Sequence, residues 1–164
     1  MIAYYINVTI HVLAAMLWFG GMLFLGVVGA PVLRGVDPPA LRQRLFDALG
    51  RRFRTVGWLA VGVAVVTGVL NLYFRGWLHW RGVLGSSAFW STKTGIALGV
   101  KLVCLALMLA VEAYHDFIAG PKAGIVEPGS AAAADLRRMA RWVARISVVC
   151  GLGLVTAAVV LTRS

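Results

Sequence analysis

Four long apolar runs, at about 4–29, 55–75, 94–119 and 141–161, alternate with stretches in which arginine, proline and glycine gather. Each run reaches the roughly 20 residues a helix needs to cross a bilayer, and a segment in lipid must satisfy its own backbone hydrogen bonds. The pattern predicts an all-α integral membrane protein, a four-transmembrane-helix bundle forming a single domain over residues 1–164. The first run opens beside Met1 with no Lys or Arg ahead of it and no small-residue cleavage site, so it is expected to be a retained span. Most of the 19 glycines fall inside the runs, where small residues let helices approach closely.

Composition agrees with the pattern. Mean hydropathy is +0.85, 60% of residues are hydrophobic and 13% charged, about half the charged share of a soluble domain. The net charge of +10 would point to nucleic acid in a soluble protein. Here its distribution reports orientation instead, and no nucleic-acid partner is expected. Arg34, Arg42, Arg44, Arg51, Arg52 and Arg54 precede the second run, and Lys122, Arg137, Arg138, Arg141 and Arg145 precede the fourth. The other side holds Arg75, Arg81, Lys93 and Arg163, and this bias of eleven against four places both termini outside. In a bacterial inner membrane that is the periplasmic side.

The connections read differently from one another. "DPPALRQRLFDALGRRFR" spaces Leu41, Leu45, Phe46 and Leu49 helically among arginines, which suits either a short helix lying on the anionic leaflet or a solvated basic face. "RGWLHWRGVLGSSAFWSTK" brings Trp77, Trp80 and Trp90 near Arg75, Arg81 and Lys93, as interfacial anchors or as a cationic rim for the acidic edge of something bound. "GPKAGIVEPGSAAAAD" reads as an unstructured inner loop.

Ionisable groups inside a span are costly without partners, and "GVKLVCLALMLAVEAYHDF" carries several. Lys101, Cys104, Met108, Glu112 and His115 recur at helical spacing and form one stripe. Lys101 and His115 are fourteen positions apart, about 21 Å along a helix, so they belong to different levels. An outer level combines His11, Asn71 and Lys101, with Thr156 as a further member. An inner level combines Glu112, His115 and Asp116 with Arg141 and Arg145, either as a structural ion-pair network or as a proton path through Glu112 and His115.

A buried imidazole in a helical bundle is a common haem ligand. Ala14 and Ala15 beside His11 leave room for a flat ring, and Trp18 could bound it. The plainer reading is a hydrogen bond to a neighbouring helix. Lys101 must neutralise, snorkel, or meet an anion or metal. All six carboxylates lie on or near the inner side, so a cofactor's carboxylates or a metal would supply the partner. His79 is an alternative second ligand if its loop folds back over the bundle mouth.

Motif order in the chain resembles that of the CopD-like (copper resistance D) membrane proteins and, with them, the HemJ-type protoporphyrinogen oxidases. The similarity runs through "HVLAAMLWFGGMLFL", "RRFRTVGWLAVGVAVVTGVLNLYF" and "VKLVCLALMLAVEAYHDF". The resemblance implies a b-type haem with His11 as axial ligand, Lys101 as partner or second ligand, and His115 as the inner histidine. The long basic inner loop, the Thr67–Gly68–Asn71 signature and the Trp-rich outer loop are more CopD-like and weaken porphyrinogen oxidation as the activity.

The leading expectation is a haem b-binding membrane redox protein, an electron-transfer protein or an oxidoreductase acting on a small hydrophobic reductant such as porphyrinogen or quinone. Its cofactor-binding residues would be His11, Lys101, Trp18, Asn71, Arg75 and Arg81. The first alternative is copper transport or resistance. Copper(I) favours thiolate and thioether donors, and Met16, Met22, Met108, Met139, Cys104 and Cys150 are scattered along the chain with no Cys-x-x-Cys. The second alternative is a non-enzymatic assembly subunit whose buried polar groups bind partner helices. Association into an oligomer is compatible with all three.

Overall fold

The computed structural model describes residues 1–78, 83–119 and 130–163. Four helices long and apolar enough to cross a membrane dominate it, and the described residues contain no strand. Helix α1 is Ile2–Arg34, α2 is Pro39–Phe74, α3 is Lys93–Ala119 and α4 is Ala131–Arg163. Only 11–22% of the residues in their apolar windows are buried, so most of this hydrocarbon surface is suited to lipid or to other helices and not to water.

Among the described residues three segments widen into π-type turns: Met16–Gly20 and Leu25–Gly29 in α1, and His115–Ala119 at the end of α3. The second of these comes just before Pro31, which has no N–H to give the preceding turn.

Two connections differ from expectation. The basic stretch after Pro38 is not a separate helix on the leaflet but the first part of α2, an unbroken helix of 36 residues. At 1.5 Å per residue α2 is about 54 Å long, well beyond the roughly 30 Å hydrocarbon core, so its arginine-rich half projects out of the apolar layer. The tail of the inner connector is likewise not a loop. "AAAAD" opens α4, as a run of the strongest helix former should. Residues 120–129, which include Lys122, lie outside the described residues.

The end of α2 follows from one residue. Gly76 adopts φ 74°, and the N–H groups of Gly76 and Trp77 donate to the carbonyls of Tyr73 and Leu72, a Schellman closure in which a Cβ would be strained. The start of α3 is capped by Thr92, whose hydroxyl oxygen accepts from the Gly95 N–H at 3.0 Å. A one-turn helix, Ser87–Trp90, lies so close that a Cβ on Gly95 would run into the Phe89 carbonyl.

The chain divides into two compact units, Met1–Gly85 and Ser86–Ser164. In the first, α1 and α2 pack antiparallel. Gly57, Ala60, Ala64 and Thr67 form a buried small-residue stripe on α2 that lets α1 approach. In the second, α3 and α4 pack antiparallel around Met108, which is fully buried, Ser147 and Cys150.

Candidate functional site

Polar groups on the α1–α2 seam form a connected ladder. His11 Nδ1 lies 2.8 Å from the Ala64 carbonyl oxygen and 3.0 Å from the Thr67 hydroxyl oxygen. The carbonyl can only accept, so Nδ1 carries the proton. The Thr67 hydroxyl spends its own hydrogen on the Val63 carbonyl at 2.6 Å and so also accepts from His11. The tautomer is thereby fixed, and Nε2 is the ring's lone-pair nitrogen. A carbonyl holding the far N–H is the usual support of a metal-ligating histidine.

Space around the ring is equally specific. A Cβ on Gly68 would lie 3.2 Å from His11 Cε1, so glycine at that position lets the imidazole lie against the α2 backbone. The Thr67–Gly68 pair therefore does two jobs for one side chain: an acceptor and a gap.

One turn toward the N-terminus, Asn7 donates to the Thr67 carbonyl at 2.9 Å and to Asn71 Oδ1 at 2.8 Å, using both amide hydrogens. Asn7 was missed in the sequence although it stands four residues before His11 and is equally polar within an apolar run. Asn71 thus joins the histidine through Asn7 and Thr67. Trp18, expected to bound a flat ring, is buried against α2 at Gly57 with Phe53 beside it, and Phe53 in turn closes on Gly21. These aromatic side chains fill the seam on the other side of the histidine from Asn7.

Arg75 ends α2 with its guanidinium 5.3 Å from the centre of the Trp77 ring, a cation–π contact that suits an interfacial anchor. His79 and Arg81 lie outside the described residues.

The second unit carries the stripe expected on α3. Lys101, Cys104, Glu112 and His115 are half-buried and Met108 fully buried, whereas Leu102, Val103 and Leu107 are exposed. Glu112 accepts from the Ser147 hydroxyl at 3.4 Å. The Arg145 guanidinium lies over Trp142, 5.2 Å from the ring centre, in place of the pairing with Glu112 expected from the sequence. The Arg141 side chain is outside those described. His115 Nδ1 meets its neighbour Asp116 at 3.2 Å. Thr156, proposed for the outer level, is exposed and its hydroxyl donates to the Leu152 carbonyl at 2.9 Å. Its hydrogen is spent within its own helix.

Cys104 and Cys150 are both free thiols, Cys104 half-buried on α3 and Cys150 buried on α4. A Cβ on Gly153 would lie 2.9 Å from Cys104 Sγ, so the sulfur occupies the room that glycine leaves. Gly153 is one turn from Cys150, so packing of α3 on α4 brings the two cysteines to adjacent turns of the seam although 46 positions separate them in the sequence. Among the described residues no three of His, Cys, Asp and Glu gather into a metal cluster.

Residues 47–161 match the family model described as copper resistance protein D. The matched stretch takes in most of α2 and all of α3, and begins after the span that carries His11. A protein of Aquifex aeolicus (strain VF5), described as uncharacterized, is 32% identical over 152 residues, 89% of this chain and 86% of its own length. No solved structure matches.

Proposed function

The chain belongs to the copper resistance protein D family, and on that premise we propose that it handles copper within the bilayer, with His11 as a metal ligand. The single observation that supports this most is the hydrogen bond from Nδ1–H to the Ala64 carbonyl at 2.8 Å. It presents Nε2 as the ligand atom, holds the ring against rotation, and makes the imidazole more basic. Imidazole is a good copper donor. An ion also needs far less room than a macrocycle, and Trp18 and Phe53 fill the seam beside the histidine. The arginine bias sets the orientation, with both termini on the periplasmic side of a bacterial inner membrane.

A second reading keeps His11 as the axial ligand of haem b. The same fixed tautomer favours it, as do the small neighbours Ala14 and Ala15. Haem would supply one-electron chemistry toward a quinone or porphyrinogen. Arg75 at the end of α2 would hold its acidic edge, and Asn71 would fix the level of the imidazole through Asn7. Glu112 and His115 would carry protons at the inner level.

The two readings part on one preparation. Detergent-purified protein is assayed for copper and iron, with optical spectra in the oxidised and reduced forms. Copper without a Soret band, reduced in amount by His11→Ala, is the expected result. Iron with a Soret band that shifts on reduction would replace copper by haem. A protein that binds neither would be an assembly subunit, and both readings would fall.

A further inference from the structure

We propose that Cys104 and Cys150 form a copper(I) site between α3 and α4, separate from His11, with Met108 as an adjacent thioether donor. The choice of ion rests on the copper-handling reading, whereas the site rests on the placement of these side chains. Gly153 leaves the space in which Cys104 Sγ sits, and Cys150 lies one turn from Gly153 on α4, so thiols from two helices occupy adjacent turns of one seam. Met108 is one turn from Cys104 on the same face and has no solvent exposure. Soft sulfur donors select copper(I). Cys150 and Met108 are buried, which limits the water that would compete for the ion and promote its oxidation.

The charges balance. Cu⁺ displaces one proton from each thiol, so two protons leave and the bis-thiolate complex carries one negative charge. Lys101 lies three residues before Cys104 on the same stripe, about 4.5 Å away along the helix axis. Its ammonium supplies the positive charge that offsets the complex.

The test is copper(I) titration of the full-length protein in detergent, without oxygen, against a chromogenic copper(I) chelator. The sulfur-to-copper absorption in the ultraviolet is followed at the same time. The unmodified protein should hold a copper ion that shows this absorption. Cys104→Ser and Cys150→Ser should each abolish the signal and the tightly held ion, while His11→Ala keeps both. Lys101→Gln should weaken retention and Lys101→Arg restore it. Because a buried Cys→Ser change can unfold the helix pair, Cys150→Met serves as a second variant. It keeps a soft donor and should retain copper with reduced absorption. Wild-type copper binding in both serine variants overturns the thiol site. If His11→Ala alone removes the copper, the copper reading stands and this inference falls. If the unmodified protein binds no copper(I), both fall.

Discussion

Gly68 and Gly62 stand on the same helix, yet only one of them is held by a neighbour. A Cβ on Gly62 meets nothing within 4 Å, while one on Gly68 reaches 3.2 Å from a ring pinned by two acceptors. Replacing a helical glycine by alanine gains about 1 kcal/mol of helix propensity, and overpacking a fitted site costs about 1–3 kcal/mol. Gly62→Ala should therefore raise the melting temperature, and Gly68→Ala should lower it and weaken metal retention. Thermal unfolding in detergent compares the two. Asn7→Ala removes two hydrogen bonds in the bilayer interior and should cost about 1–2 kcal/mol, read from the same melts. His11 as a residue of interest is visible in the sequence, since an imidazole in an apolar run stands out. Asn7 as its neighbour becomes visible only once α1 is laid on α2, because the partners are 60 and 64 positions away.

The elements are set by local rules to different degrees. Thr92 and Gly76 mark a helix start and a helix end in ways a sequence can state. Gly95 is different, because its role comes from the Phe89 carbonyl folding over it. A backbone atom cannot swing aside as a side chain tip can. Gly95→Ala should dislodge the Ser87–Trp90 turn and cost more than Thr92→Ala, for which a lost cap predicts about 1 kcal/mol. Unfolding midpoints of the two variants check the order. The continuity of α2 through "LRQRLFDALGRRFR" was also legible in principle: the stretch contains one glycine, Gly50, and no proline after Pro39. Its arginines invite an interfacial reading, but nothing in the backbone interrupts the helix, so it runs on into the span.

At the scale of the molecule, the arginine-rich half of α2 and the basic start of α4 share a side of the membrane only if the four apolar helices alternate in direction. Inside-out vesicles should then lose the segment around Arg42–Arg54 to trypsin, and right-side-out vesicles should keep it. Protection in the former and cleavage in the latter would reverse the orientation. His11 belongs to the unit Met1–Gly85, and Lys101, Cys104 and Cys150 belong to Ser86–Ser164. The two proposed copper sites therefore fall in different units, an imidazole in one and sulfur in the other.

The sequence by itself determined the four helices, the apolar class and the family, because hydrocarbon runs of that length leave a chain no other way to satisfy its backbone in lipid. It also isolated the histidine and the α3 stripe, since helical spacing is a local property. Tertiary structure decided which nitrogen of His11 carries the proton, why Gly68 must be small, that Trp18 packs on α2, and that Cys104 sits against Gly153. Each of these depends on the register between two helices, and that register comes from small-residue contacts distant in the chain, which no local pattern encodes.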